Sequence, residues 1–163
     1  MTKRISGTRL PRLLKRNQSS RGQALIEFSL VALTFFVLVF ALIDFSWLFF
    51  NQMMMQNAVR EAARYASTGD HVTNNGTTLS RVASIEQILQ DAAAVGTDIQ
   101  SIVIKSALGG VGSGGGPGDT VTVQAVCDVP LLTFALGPFF TSNQFTFTVS
   151  ATLKNEPFPA SEE

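Results

Sequence analysis

The sequence predicts an α+β protein: a long N-terminal membrane-spanning helix that extends into a small exported domain, where a second helix packs on a three-stranded antiparallel sheet. Three observations predict it. An unbroken apolar run follows a basic leader, a helical period continues past that run in amphipathic form, and the C-terminal half changes to a period of two. At 163 residues the chain has room for one modest domain plus an anchor.

The formal net charge is zero, yet the charges are segregated. Seven of the twelve Lys and Arg residues lie in residues 1–21, where there is no acid. From Gln23 onward five basic residues face twelve acidic ones, a net of −7. A chain basic on one side of an apolar span and acidic on the other follows the positive-inside rule, which puts the leader in the cytoplasm and the remainder outside. The alternative for the basic run is nucleic-acid binding. Its position hard against the span favours topology, so no nucleic-acid partner is expected.

Phe28 to Phe50 is 23 residues with seven phenylalanines and no Pro or Gly. At the helical rise this is about 34 Å, enough for a hydrocarbon core of about 30 Å. It is too long for the apolar core of a cleaved secretory signal, and no convincing small-x-small site follows, so an uncleaved lipid-bilayer anchor fits better. Beyond it, Met54, Met55, Ala58, Val59, Ala62 and Ala66 recur at helical spacing, while Gln56, Asn57, Arg60, Glu61 and Arg64 take the other face. Gly69 is the expected stop. The helix expected over 24–68 is about twice as long as a membrane requires, so its outer half must lie on something other than lipid.

Asp70–Ser80 reads as a polar turn. A second helix is expected from about Arg81 to Ala94, with Val82, Ile85, Ile88, Leu89 and Ala92 on one face and Ser84 with Gln87 as a possible capping box. The strands follow: Ile99–Lys105, then Thr120–Val129 with Val121, Val123, Ala125, Cys127 and Val129 on one face, then Gln144–Lys154 with Phe145, Phe147, Val149, Ala151 and Leu153 on one face. One apolar and one polar face marks an antiparallel sheet covered on one side. The glycine-rich stretch 109–118 reads as a flexible connector, and 130–138 as a link carrying a short helix. The expected organisation is a basic cytoplasmic leader over 1–22, a transmembrane helix over 23–50, its amphipathic extension over 51–68, an exported α+β domain over 69–155, and a flexible tail over 156–163.

Chemistry is sparse. There is one His, His71, in a polar turn, and one Cys, Cys127, on an apolar strand face. No nucleophile elbow, metal-ligand spacing or paired carboxylates stand out, and the glycine-rich stretch lacks the Lys-Ser/Thr of a phosphate cradle. No enzyme activity, catalytic residue, cofactor or metal is expected. A single cysteine excludes an intramolecular disulfide, leaving a small buried residue or, as the alternative, intermolecular pairing.

Two carboxyls interrupt the apolar helix. An ionised side chain near the centre of a membrane helix costs about 2.5–3.5 kcal/mol on insertion scales, so it calls for a reason. Glu27 has the bland reading of snorkelling to the cytoplasmic interface, and Asp44 that of marking the outer edge. The combination with Gly22 shifts the balance. Arg21-Gly22, Ala24, Glu27-Phe28, the apolar run, Asp44-Phe45 and the alanine-rich stretch from Val59 to Ala66 resemble the TadE/TadF-like family, pseudopilins of the tight-adherence (Flp) pilus system. The resemblance spans residues 21–67. It departs at Phe28, where the motif usually has Tyr, and at Leu33, in a run where many members carry a proline.

The resemblance implies a minor pilin-like component assisting assembly of a tight-adherence or type IV-like pilus, cut by a prepilin peptidase after Gly22 so that Gln23 becomes the N-terminus. Its implied site residues are Gly22 and Gln23 for processing and Glu27, Phe28 and Asp44 for helix pairing and assembly. Its implied partners are the peptidase, other pilin-like subunits and the assembly platform. The implied location is the bacterial inner membrane, single-pass, with the C-terminal domain periplasmic or extracellular. The alternative is an uncleaved single-pass scaffold with an exported interaction domain; a third reading, a tethered enzyme or ligand-binding domain, has no residue constellation behind it.

Overall fold

The computed structural model describes residues 19–74, 76–133 and 135–158. Most of the basic leader, Phe134 and the end of the acidic tail lie outside these residues. The chain divides between Val37 and Leu38 into two units. One helix, α1 (Ser19–Thr68), supplies the described part of the first unit and opens the second. It begins five residues before the expected Ala24 and ends where Gly69 predicted, in a left-handed backbone with φ +79°.

In the first unit α1 exposes its apolar side chains throughout, Leu25, Phe28, Leu33 and Phe36 among them. Its hydroxyls are satisfied internally, since Ser29 and Thr34 each donate to the carbonyl four residues back. That is what a helix surrounded by hydrocarbon requires.

In the second unit α1 is one wall of the core. Met55, Ala58, Val59, Ala62, Ala63 and Ala66 are buried in a single cluster with α2 (Arg81–Asp91) and the sheet. Small alanines bring the helix axis close to its neighbours, while Met54, expected on the same face, points to solvent. The end of α1 is tied down: the Ser67 and Thr68 hydroxyls donate to the Arg64 and Tyr65 carbonyls, Arg81 Nη2 to the Ala66 carbonyl at 2.7 Å, and the Glu156 N–H to the Ser67 carbonyl at 2.8 Å. Tyr65, Ala66 and Ser67 carry three of the four carbonyls a helix end leaves without intrahelical partners.

The three-stranded sheet is corrected to two sheets. A two-stranded hairpin, β1 (Thr73–Asn74) and β2 (Thr77–Thr78), occupies the stretch read as turn. Gly76 lies between the two strands with a left-handed φ of +81°, as tight hairpin turns favour, but strands of two polar residues carry no apolar alternation to detect. The main sheet has four antiparallel strands in the order β4-β3-β5-β6: β3 (Asp98–Ser106), β4 (Gly110–Val111), β5 (Thr120–Pro130) and β6 (Gln144–Lys154). Along β5 the inward set Val121, Val123, Ala125, Cys127 and Val129 is fully buried, as its alternation predicted. On β6 Phe147 and Val149 are buried and Leu153 is exposed, because the cover runs out at that end.

The glycine-rich stretch is a packed loop, correcting its reading as a flexible connector. Gly110–Val111 pairs with the end of β3, and Gly114 and Gly115 are buried. The Asn155 amide Nδ2 donates toward the Gly114, Gly115 and Gly116 carbonyls, and Arg81 Nη1 donates to the Gly115 carbonyl. Gly115 is needed as glycine, since its φ is +72° and a Cβ there would lie 2.5 Å from Asp119 Oδ2. Asp119 in turn caps this end of the sheet, accepting from the Leu108 and Thr120 N–H groups. Burial pushes its carboxyl up, but those hydrogen bonds and one from Ser106 outweigh this and hold it below the usual range.

Two smaller expectations also change. Ser80, not Ser84, caps α2, accepting from the Ala83 N–H; Ser84 is buried and its hydroxyl accepts from the Val72 N–H, fastening the preceding segment. Among its described residues the link between β5 and β6 carries two 3₁₀ turns, Gly137–Phe139 and Thr141–Asn143. The first part of the 156–163 tail, read as flexible, is pinned: the Glu156 N–H donates to the Ser67 carbonyl and the Phe158 ring packs on Gly69 and under Arg81, whose guanidinium sits 4.5 Å from the ring centroid.

Candidate functional site

Of the residues expected at the processing and pairing site, all but Asp44 lie on the exposed surface of α1. Gly22 sits inside the helix, not at its end, and a Cβ built on it meets nothing within 4 Å. Its φ is not in the left-handed range, so neither packing nor backbone conformation demands a glycine here. One turn on, the Gln23 side-chain amide donates to Glu27 Oε1 at 3.0 Å, on the outside of the helix. Phe28, at 70% exposure, adjoins them on the same unshielded surface. Gly22, Gln23, Glu27 and Phe28 are therefore brought together on about two turns of helix.

Asp44 is placed differently. It is fully buried within the second unit, where Oδ1 accepts the Thr133 N–H at 2.7 Å and Oδ2 accepts the Thr133 hydroxyl at 2.6 Å. This second charge in the apolar run thus has an intrachain partner, in the link between β5 and β6. Sequence reasoning missed that role, for nothing in local spacing joins two residues 89 apart. About two turns further along, Asn51 is likewise fully buried; its amide donates to the Trp47 carbonyl and accepts from the Thr97 hydroxyl.

His71 and Cys127 are not assembled into a reactive pair. His71 is half-buried, not exposed as expected, and its Nδ1 lies 3.0 Å from the Leu79 carbonyl, bracing the base of the hairpin. Cys127 is buried on β5, where burial first and the neighbouring Asp128 charge second push its thiol up to about 11. Among the described residues no group of three or more His, Cys, Asp or Glu side chains is placed to hold a metal ion. An open groove between α1 and β6 is lined by Gln56, Arg60, Arg64, Lys154 and Glu156, and the Gln56 amide donates to the Ser150 carbonyl within it.

One helix among the described residues is long and apolar enough to cross a membrane, Gly22–Thr68. Residues 22–64 match the model of the TadE-like protein family. The TadE-like segment starts on Gly22 itself, takes in Glu27, Phe28 and Asp44, and ends on the alanine-rich face that packs into the core. It is consistent with a Tad pilus-associated protein, as the sequence resemblance implied. No curated protein and no solved structure matches the chain.

Proposed function

We propose that this chain is a minor pilin-like component of the bacterial inner membrane that assists assembly of a tight-adherence or type IV-like pilus. A prepilin peptidase cuts it after Gly22, the leader stays cytoplasmic, and the α+β domain lies outside. It works by association, not by catalysis, with other pilin-like subunits and the assembly platform as its partners.

The observation that carries this reading is Gly22 in open space at the first residue of the TadE-like segment. A glycine that its own fold does not require is accounted for by another protein that reads it. Lacking a Cβ, it lets the backbone approach a protease closely and adopt an extended conformation once the local helix opens. Cleavage creates an α-amino group, with a pKa of about 7.7–8.0 in water, at the membrane surface. Glu27, exposed one turn along, then offers its carboxyl to the terminus of a neighbouring subunit. That pairing strengthens in a low dielectric and sets the axial register between packed helices.

The test is Glu27→Gln at native expression, read by surface pilus yield and by crosslinking to other pilin-like subunits. The substitution keeps size and removes charge, so insertion and cleavage persist while yield and crosslinks fall. Unchanged yield and unchanged crosslinks remove Glu27 from the mechanism.

One observation favours the second reading, an uncleaved membrane scaffold. The helix α1 passes through Gly22 without a break, so the bond after it is not presented in extended form. Retention of residues 1–22 in cells that assemble pili separates the two.

A further inference from the structure

The end of the second unit around Asp44 carries an uncharged apolar collar that the assembly reading does not use. Two loops are fastened to α1 there. The link between β5 and β6 is held by the two hydrogen bonds from Thr133 to Asp44. The turn between α2 and β3 is held by the Thr97 hydroxyl on Asn51 and by Gly96, where a Cβ would lie 3.2 Å from the Trp47 ring. Each loop turns large apolar side chains outward: Phe139 is 81% exposed and Leu132 57% in the first, and Val95 is 90% exposed in the second.

Neither stretch, 131–143 nor 92–97, contains a charged residue, and α1 has none between Asp44 and Arg60. The other end of the unit is charged, with Arg64, Asp70, Arg81, Asp119 and Glu156 about the end of α1 and the glycine-rich loop. The exposed Asp91 and Asp98 flank the second stretch and Asp128 pairs with Asp98 in the sheet register, but the loop tips themselves are apolar, and apolar tips facing water carry a cost that a lipid surface removes.

Continuity with α1 identifies the cover. From Gln23 to Ile43 the helix rises about 31 Å, the thickness of a hydrocarbon core, so Asp44 falls at the outer boundary. Phe45, Phe49 and Phe50, all exposed on α1, occupy the next ~8 Å, the interfacial layer where aromatic rings collect. We infer that this collar is seated in the outer-leaflet interface of the bilayer, with Phe139, Leu132 and Val95 dipping into lipid and Thr133 shielding Asp44 from it. The exported domain then stands on the membrane by two loops in addition to its helix. The inference rests on the membrane-anchor reading of α1.

The experiment places single tryptophans in the full chain on a Trp47→Phe background, reconstituted in phosphatidylcholine vesicles with or without bromine on the acyl chains. Circular dichroism melting confirms that each variant is folded. Phe36→Trp reports the anchor, Phe139→Trp and Val95→Trp report the two loops independently, and Leu108→Trp, exposed at the β3–β4 turn, reports the far end. Bromolipid quenches the Phe36, Phe139 and Val95 positions with blue-shifted emission, and leaves the Leu108 position unaffected. Quenching at Phe36 with Phe139 and Val95 as unquenched as Leu108 overturns the collar and leaves the anchor standing. No quenching at Phe36 overturns the anchor and the collar with it. Protection of Phe139 from iodide that grows with protein-to-lipid ratio, without bromolipid quenching, assigns the collar to a second copy and overturns the lipid assignment.

Discussion

Both carboxyl oxygens of Asp44 accept hydrogen bonds from Thr133, one from its N–H and one from its hydroxyl. The pair joins α1 to the link between β5 and β6 at a site where Asp44 has no exposure to solvent. Hydrogen bonds of this kind contribute about 1.5–3 kcal/mol when one partner is charged, and a buried donor left without its acceptor costs about as much. Asp44→Leu is therefore expected to destabilise the domain by about 2–4 kcal/mol and Thr133→Val, which removes only the hydroxyl bond, by about 1.5–3 kcal/mol, with the double variant less than additive. Thermal melts of the full chain in detergent, read as a double-mutant cycle, check the coupling.

Arg81 is the second long-range tie. It is buried and joins three parts of the chain, donating to the carbonyls of Ala66 and Gly115 and lying over the Phe158 ring. Arg81→Met keeps the stem and removes the donors, leaving the Ala66 and Gly115 carbonyls without this partner, so a loss of about 2–3 kcal/mol is expected. Lysine does not restore it, because one ammonium cannot reach two divergent carbonyls and cover a ring face as a planar guanidinium does. Limited proteolysis beyond Asn155 is the direct readout: cleavage accelerates in both variants while the wild-type tail resists.

Cys127 is expected to be inert at neutral pH. Its thiol is raised to about 11 by burial and by Asp128, so the thiolate that reacts is scarce in the folded chain. Because the folded value lies above the unfolded one, the associated stability is fully present below the unfolded pKa of about 8.5 and is lost as pH rises toward the folded value. Maleimide labelling at pH 7 should proceed only on denaturation, and the midpoint of thermal unfolding should fall between about pH 8.5 and 11 more steeply for wild type than for Cys127→Ala. Fast labelling of the folded chain contradicts the placement of Cys127 in the core.

Where hydrophobic period carries the information, the sequence was a good guide. The inward faces of β5 and α2 and the buried Ala58, Ala62 and Ala66 of α1 follow directly from spacing, while Ala63 is buried besides. What it hid were features made of polar residues and long-range closure. The strands β1 and β4 are two residues long and expose their side chains, so no alternation marks them. Arg81, at the start of a helix, reads as a solvated charge until the glycine-rich loop and Phe158 close over it. Asp44 reads as a membrane-edge residue because Thr133, its partner, lies 89 residues away in the chain. Ser84 was assigned to a cap because its spacing to Gln87 fits one, whereas the folded chain uses its hydroxyl to hold Val72. The motif residues from Gly22 to Phe28 stand at the start of the family match, and among the described residues nothing packs where a Gly22 side chain would lie.

Processing after Gly22 is the central claim, and the intact mass of the native protein tests it most directly. Protein is purified from cells with and without the prepilin peptidase, under conditions in which pili assemble, and Gly22→Leu is measured alongside. Processing predicts a chain beginning at Gln23 when the peptidase is present, and the full chain from Met1 both in its absence and for the variant. Retention of Met1 to Gly22 in peptidase-positive, piliated cells contradicts it and leaves the uncleaved scaffold as the function of this chain.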